Sequence, residues 1–390
     1  MLATQHNSSL LNQFTPCAVV DRSKLSRNIA RLNAALAPFP VDLRPHVKTT
    51  KSPALSRLLT EGHSGAITVS TLAEAEYFFA AGFTDLLYAV GISPGKLPQV
   101  AALLERGAAI KVILDSAVMA ELVADWGEQH QRRIPVLIEI NADDHRAGID
   151  PGDAELIETA TRLHQSPGTE FMGVMTHAGA SYACKRVADI RAMAQRERDA
   201  TVQCADEIRA AGIECRIVSV GSTPTALFAT DLAGVTEVRA GVYPFFDLVM
   251  AGLGCCEADD IALSVLTTVI GHKPRLNTLI TDAGGLALSK DRGTAEQATD
   301  CKYGLICEAA TGRRIDKLRV ASVNQEHGLV STADGSPLDM SRFPIGSLLR
   351  VLPNHACMTA AAYSDYIVVD GENPNVVDTW PRCGGWQQPV

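Results

Sequence analysis

No CxxC pair occurs among the ten cysteines of this 390-residue sequence; they stand at 17, 184, 204, 215, 255, 256, 301, 307, 357 and 383. A disulfide framework belongs to small exported chains, so most of these thiols are expected to be reduced and to serve as small core residues. An excess of positive charge is missing too. The formal net charge of −9 argues against nucleic acid or an anionic membrane as a partner. No run of about 18 apolar residues appears, so no membrane span is expected. The opening "MLATQHNSSLLNQF" lacks a basic region followed by a long apolar core, so no signal peptide is read and a cytoplasmic protein is expected. There is no internal repeat, low-complexity tract or long linker. With 46% hydrophobic and 20% charged residues, the composition is that of an ordinary globular protein, and the length suits two domains.

What is present is a regular alternation. Short apolar runs occur at 42–48, 66–70, 85–90, 110–115, 135–140, 171–177, 215–221 and 236–243. Between them lie stretches such as "LAEAEYFFAAG" and "AVMAELVADWGEQH", whose apolar residues recur at three- and four-residue spacing. Alternating units of this kind imply a parallel sheet with right-handed crossovers. Eight of them close naturally into a (β/α)8 barrel, with an open doubly wound sheet as the alternative. After about residue 250 the runs become strand-like and are separated by turn residues, as in "ALSVLTTVIGHK", "GSLLRVLPNH" and "YSDYIVVDG". The expected division is a barrel over 15–250 and a mostly β domain over 251–390.

Barrel chemistry gathers at the carboxyl ends of the strands. The first run ends "RPHVKTTK", which places Lys48 at the strand end and Lys51 in the loop. Desolvation there can make a lysine amine nucleophilic and able to form a Schiff base. The seventh and eighth runs end "VSVGSTPT" and "VRAGVY". Small residues let backbone N–H groups approach a ligand, and Ser222, Thr223 and Thr225 add hydroxyls. Phosphate sites recur at these two strand ends. A lysine with a phosphate pocket is what pyridoxal phosphate requires. "GVMTHAGASY" brings His177 to the mouth, and "NADDHRAGI" brings Arg146. Near the far end, "PNHAC" sets His355 two residues before Cys357. On an extended chain both would face the same way. Imidazole and thiolate suit zinc and other borderline ions, and two protein ligands leave positions open, as catalytic sites do. The plain alternative is a buried histidine beside a small core cysteine.

In order, "RPHVKTTK", "HRAGI", "THAGASY", "VGSTPT", "EVRAGVY", "QEHG" and "PNHAC" resemble the fold-type III pyridoxal phosphate enzymes of the D-serine dehydratase and D-threonine aldolase group, over roughly residues 15 to 385. That group shares its barrel with alanine racemase. The resemblance implies that Lys48 bears the cofactor and that Lys51 is a bystander. It implies that Arg146 lies near the phenolic oxygen, and that His177 and Tyr182 contact the cofactor. Gly221, Ser222, Thr223, Gly241 and Tyr243 would form the phosphate cradle and its surroundings, with Arg239 against the pyridine nitrogen. His355 and Cys357 would hold a divalent metal (Zn, Mn or Co). One departure is Thr50, where many members have histidine. The implied reaction is dehydration of a D-3-hydroxy amino acid, D-threo-3-hydroxyaspartate foremost and D-serine second, to a 2-oxo acid and ammonia. An aldolase is the main rival, but its metal motif in this group looks like His-x-Asp. A racemase needs a tyrosine early in the β domain, and none occurs between Tyr243 and Tyr303. A non-catalytic cofactor carrier would leave the β domain without a purpose. Members of this group commonly complete one subunit's site with the partner's β domain, which implies a head-to-tail homodimer.

Overall fold

A computed structural model describes residues 9–386. The first eight residues, part of the stretch read as lacking an export signal, lie outside it. Two compact units emerge among the described residues: 32–241 with 385–386, and 9–31 with 242–384. The expected cut after 250 therefore differs from the compact units by a few residues. It also assigned the amino-terminal segment to the barrel. The reason is the apolar run Cys17–Asp21, strand β1, which pairs antiparallel with Leu263–Lys273 (β10) and parallel with Asp365–Asp370 (β16). The first strand thus belongs to the second unit.

In the barrel unit the parallel strands are β2 (Asp42–Leu43), β3 (Ile67–Val69), β4 (Asp85–Gly91), β5 (Ala109–Leu114), β6 (Ile134–Glu139), β7 (Thr169–Met175), β8 (Ile217–Val220) and β9 (Glu237–Val238). Their order is β2-β9-β8-β7-β6-β5-β4-β3. The ring closes where His46 bridges Thr68 and the Val47 N–H donates to the Thr68 carbonyl at 2.9 Å. This closure excludes the open sheet. Side chains alternate along each strand. Leu86, Tyr88, Ile110, Val112, Val136 and Ile138 join the main core, while Leu87, Ile113, Leu137 and Met175 form a separate cluster. Helices start where the sequence caps them: Thr71 accepts from the Glu74 N–H at 3.0 Å and Ser116 from the Met119 N–H at 3.3 Å.

Charged groups are also buried in the barrel. Arg44 bridges Glu237 at 2.9 Å and Asp85 at 2.7 Å, and Lys111 reaches the same Asp85 oxygen at 2.8 Å. Glu237 accepts from Ser219 Oγ at 2.6 Å, and Ser219 accepts from Arg239 Nη1 at 2.5 Å. Such charges persist in an interior only when each has its partner. This chain of contacts holds Arg239.

The β unit contains β1, β10, Thr278–Thr281 (β11), Leu305–Glu308 (β12), Arg314–Val323 (β13), Gly328–Thr332 (β14), Leu348–Leu352 (β15), β16 and Asn373–Pro381 (β17). Strand β10 pairs with β15 through its first half and with β11 through its second, past a register shift at Val269/Gly271. The path β10-β11-β14-β13-β12-β15 therefore returns to β10, with β1, β16 and β17 extending the sheet. Among the described residues no helix is long and apolar enough to cross a membrane.

Candidate active site

The mouth of the barrel carries most of the expected residues. Lys48 follows the His46–Thr68 bridge directly and is exposed. Lys51 is buried and ion-paired to the buried Glu74 at 3.0 Å. That pairing gives it a structural job. After β7, His177 Nδ1 donates to the Gly221 carbonyl at 3.0 Å, and its ring lies 6.2 Å from that of Tyr182. Burial and the nearby Lys48 charge push the His177 pKa down to about 3, with Arg239 and Arg146 adding to the effect, so the imidazole is neutral. Burial, and again Lys48, depress His46 well below its ordinary value, and its buried Nδ1 has no hydrogen-bond partner. Arg146 projects from the 141–148 loop, more than half exposed, and reaches Glu139 at 3.1 Å.

Gly221 is fixed from three sides. Its φ is +129°, and a Cβ there would lie 2.3 Å from the Arg239 carbonyl oxygen. Its carbonyl holds His177, and its N–H donates to Glu197 at 3.0 Å. Glu197 also accepts from the Ala178 N–H at 2.9 Å and bonds the Thr225 side chain. Burial raises the pKa of this carboxyl group, and those bonds oppose the rise. Ser222 caps the turn into the helix Thr223–Phe228. Its own N–H is taken by Thr225 Oγ1 at 2.9 Å, and its Oγ lies 2.9 Å from Ser181 Oγ. The N–H groups of Gly221 and Ser222 are therefore spent inside the fold. A Cβ at Gly241 would lie 3.2 Å from the His46 carbonyl oxygen, so the backbones approach closely there too. Arg239 bonds Ser219 and the Thr176 carbonyl. An exposed amine at a strand end, two close backbone approaches and an unpartnered buried histidine nitrogen suit a phosphorylated aldehyde.

Tyr243 falls in the β unit, fully buried, with burial raising its pKa and no hydrogen-bond partner for its hydroxyl. His355 and Cys357 also lie in this unit. The chain does not stay extended between them, because the short helix Ala356–Ala360 begins immediately after His355. The pair meets nonetheless: the Cys357 side chain hydrogen-bonds the His355 imidazole. Asp291 Oδ2 takes the other contact, 2.6 Å from His355 Nδ1. Burial would lower the His355 pKa, but Cys357, Asp247 and Asp291 outweigh it and push it up to about 10. Asp247, buried, accepts the N–H groups of Ala356 and Met250 at 2.9 Å each. Among the described residues no group of three or more His, Cys, Asp or Glu side chains forms a closed metal cage. The donor set that is present, one imidazole and one thiol, fits a borderline divalent ion with open positions.

Glu197, Asp247 and Asp291 escaped the sequence reading. Glu197 left a trace, since it falls on the stripe Ile190, Ala194, Thr201, Cys204 and Ile208 that its helix buries. Asp291 left none, lying in a polar loop between strands.

A closed eight-stranded parallel barrel with an exposed amine after its first strand and a tight glycine turn after its next-to-last is that of the alanine-racemase-like enzymes that use pyridoxal phosphate. The chain belongs to the family of the alanine racemase N-terminal domain, matched over residues 20–248, in the dehydratase branch marked by a putative serine dehydratase domain over 262–369. It is 47% identical over 382 residues to the D-threo-3-hydroxyaspartate dehydratase of Delftia sp. (strain HT23), covering 97% of this chain and 99% of that one. The D-serine dehydratase of Dictyostelium discoideum is 32% identical, over 95% and 96% of the two chains. The solved structure of the Delftia enzyme matches with a TM-score of 0.94, covering 97% of this chain and all of that one. A solved variant of it is described as being in a metal-free form.

Proposed function

We propose that the protein dehydrates D-threo-3-hydroxyaspartate to oxaloacetate and ammonia, with D-serine as a second substrate giving pyruvate. The observation that carries this reading is the Cys357 side chain hydrogen-bonded to His355. A soft, open donor pair suits an ion that assists a leaving hydroxyl, whereas the aldolases of this group look like His-x-Asp at that place. The 47% identity to a named dehydratase supports it.

Lys48 is the residue we assign to covalent attachment of pyridoxal phosphate, with Ser222, Thr223 and Gly241 about the phosphate, Tyr182 and Arg146 beside the ring and Arg239 at the ring nitrogen. When bound, the cofactor supplies an electron sink for charge developing at Cα, and a divalent ion supplies Lewis acidity that eases loss of hydroxide. Once free, the Lys48 amine removes the Cα proton and holds it. His177 stays neutral: its Nδ1–H is committed to the Gly221 carbonyl, which leaves Nε2 as an acceptor. Glu197 fixes the two turns that carry His177 and Ser222 by binding the N–H groups of Ala178 and Gly221. His355 and Cys357 are the residues we assign to the ion. Overall, the Cα–H and Cβ–O bonds break, and the water lost is regained when the C–N bond is hydrolysed. We further propose a homodimer, which light scattering on the purified protein checks.

The test is product analysis with D-threo-3-hydroxyaspartate and D-serine, before and after chelation. Oxaloacetate or pyruvate with equimolar ammonia is expected, lost on chelation and restored by Zn, Mn or Co, and absent from Lys48→Ala. Glycine with an aldehyde as the product, or normal turnover by Lys48→Ala, overturns the reading.

A further inference from the structure

We infer that Asp291 is the positioning residue of the metal pair. It fixes the tautomer and ring plane of His355 so that Nε2 is the ligating atom. This inference rests on the assignment of His355 and Cys357 to a divalent ion. A carboxylate only accepts hydrogen bonds, so at 2.6 Å from Asp291 Oδ2 the His355 Nδ1 must carry the proton. Nε2, on the side of the ring away from Asp291, is then the nitrogen left for an ion, which takes the place of any proton there. Ligating histidines characteristically donate their second N–H to such a group, which raises their basicity and holds the ring.

The surroundings show that this contact is built in. The Asp291 N–H donates to Ser289 Oγ at 3.0 Å, and Ser289 sits at a φ of +69°, which turns the loop back on itself. Three residues beyond Asp291, Thr294 is clamped to Asn354, the residue just before His355. The Thr294 N–H reaches Asn354 Oδ1 at 3.1 Å, and Asn354 Nδ2 reaches Thr294 Oγ1 at 2.8 Å. Asn354 Nδ2 also donates to the Lys302 carbonyl at 2.6 Å. The loop bearing Asp291 and the turn bearing His355 are therefore tied at buried points, so their distance is set by the backbone and not by chance meeting of side chains. From the other side, Asp247 grips the Ala356 N–H. With both sides of the turn held, Asp291 decides where the ring points.

The experiment titrates chelator-stripped protein with Zn against a chromophoric competitor, for the native chain, Asp291→Asn, Asp291→Ala and His355→Ala. Asp291→Ala should bind about 10- to 100-fold more weakly. Asp291→Asn keeps a hydrogen-bond acceptor and should recover part of that loss, which general loosening of the fold would not produce. Circular dichroism and the visible absorbance of the cofactor should be unchanged in both. Native-like Zn affinity in both Asp291 variants, with binding lost in His355→Ala, overturns the inference while leaving the metal assignment standing. Native-like affinity in His355→Ala overturns the metal assignment and this inference with it. If Asp291→Ala does not fold, Asp291→Asn decides: binding several-fold weaker supports the role, and equal binding refutes it.

Discussion

Replacing Gly221 by alanine should damage the barrel mouth out of proportion to one methyl group. The added Cβ would stand 2.3 Å from the Arg239 carbonyl oxygen and 2.8 Å from its nitrogen. Ordinary carbon–oxygen contacts lie near 3.3 Å, so the backbone must yield by roughly 1 Å. Neither side can yield freely, since the Arg239 N–H is bonded to Val220 at 2.7 Å and its side chain is engaged with Ser219. Overpacking of this kind costs about 1–3 kcal/mol. The φ of +129° adds about 1–2 kcal/mol for any residue with a Cβ. The expected loss is therefore about 2–5 kcal/mol, read as a lower urea midpoint. The same shift moves the Gly221 carbonyl away from His177 and its N–H away from Glu197, so cofactor affinity should fall in a titration of the visible absorbance. Displacements of about 1 Å at a catalytic site can lower turnover about 100-fold. Gly212→Ala is the control: Gly212 also has a positive φ, +81°, but nothing lies within 4 Å of its Cβ position. It should show the conformational cost alone. Equal urea midpoints for the two variants, with native cofactor binding in Gly221→Ala, would refute the reasoning.

Two further outcomes follow from the same geometry. Lys51→Met leaves the Glu74 carboxylate buried without its ion-pair partner, which costs about 3–5 kcal/mol. The folded fraction should keep the native cofactor spectrum, and loss of the spectrum would move Lys51 into the site. His177 stays neutral in the fold down to about pH 3, whereas the unfolded chain protonates it below about pH 6.5. Its share of stability is therefore lost as pH falls from about 6.5 towards 3. His177→Gln should flatten the stability–pH curve in that window, and an unaltered slope would show that the imidazole is not buried neutral.

The barrel was legible because its strands announce themselves: all eight apolar runs overlap an observed strand. The strand ends then point to Lys48, His177 and the 221–223 turn without any contact being known. What could not be read was long-range pairing. Strand β1 looks like any short apolar run, and its partners lie at 263–266 and 367–369. Leu305–Glu308 was missed for the same reason, being a four-residue strand in an irregular stretch. At the candidate site, the residues we assign to cofactor and ion were picked out by type alone, whereas Glu197 and Asp291 reach partners about twenty and sixty residues away. The two-residue spacing of His355 and Cys357 was read as an extended chain, and the turn into a helix reaches the same meeting by another backbone path.

The placement of β1 has a consequence for how the protein matures. The barrel is drawn almost wholly from one unbroken stretch, 32–241, whereas the β unit needs both the first strand made and the last. On a ribosome, residues 17–21 emerge early and must wait, with both edges unpaired, until β10 and β16 have been synthesised. Nearly all barrel residues, Lys48 among them, are available well before that moment. The His355–Cys357 turn lies between β15 and β16 and comes together only when synthesis is almost complete. Sequence order thus makes Lys48 available first and the His355–Cys357 pair last, and a chain interrupted in between would carry the former without the latter.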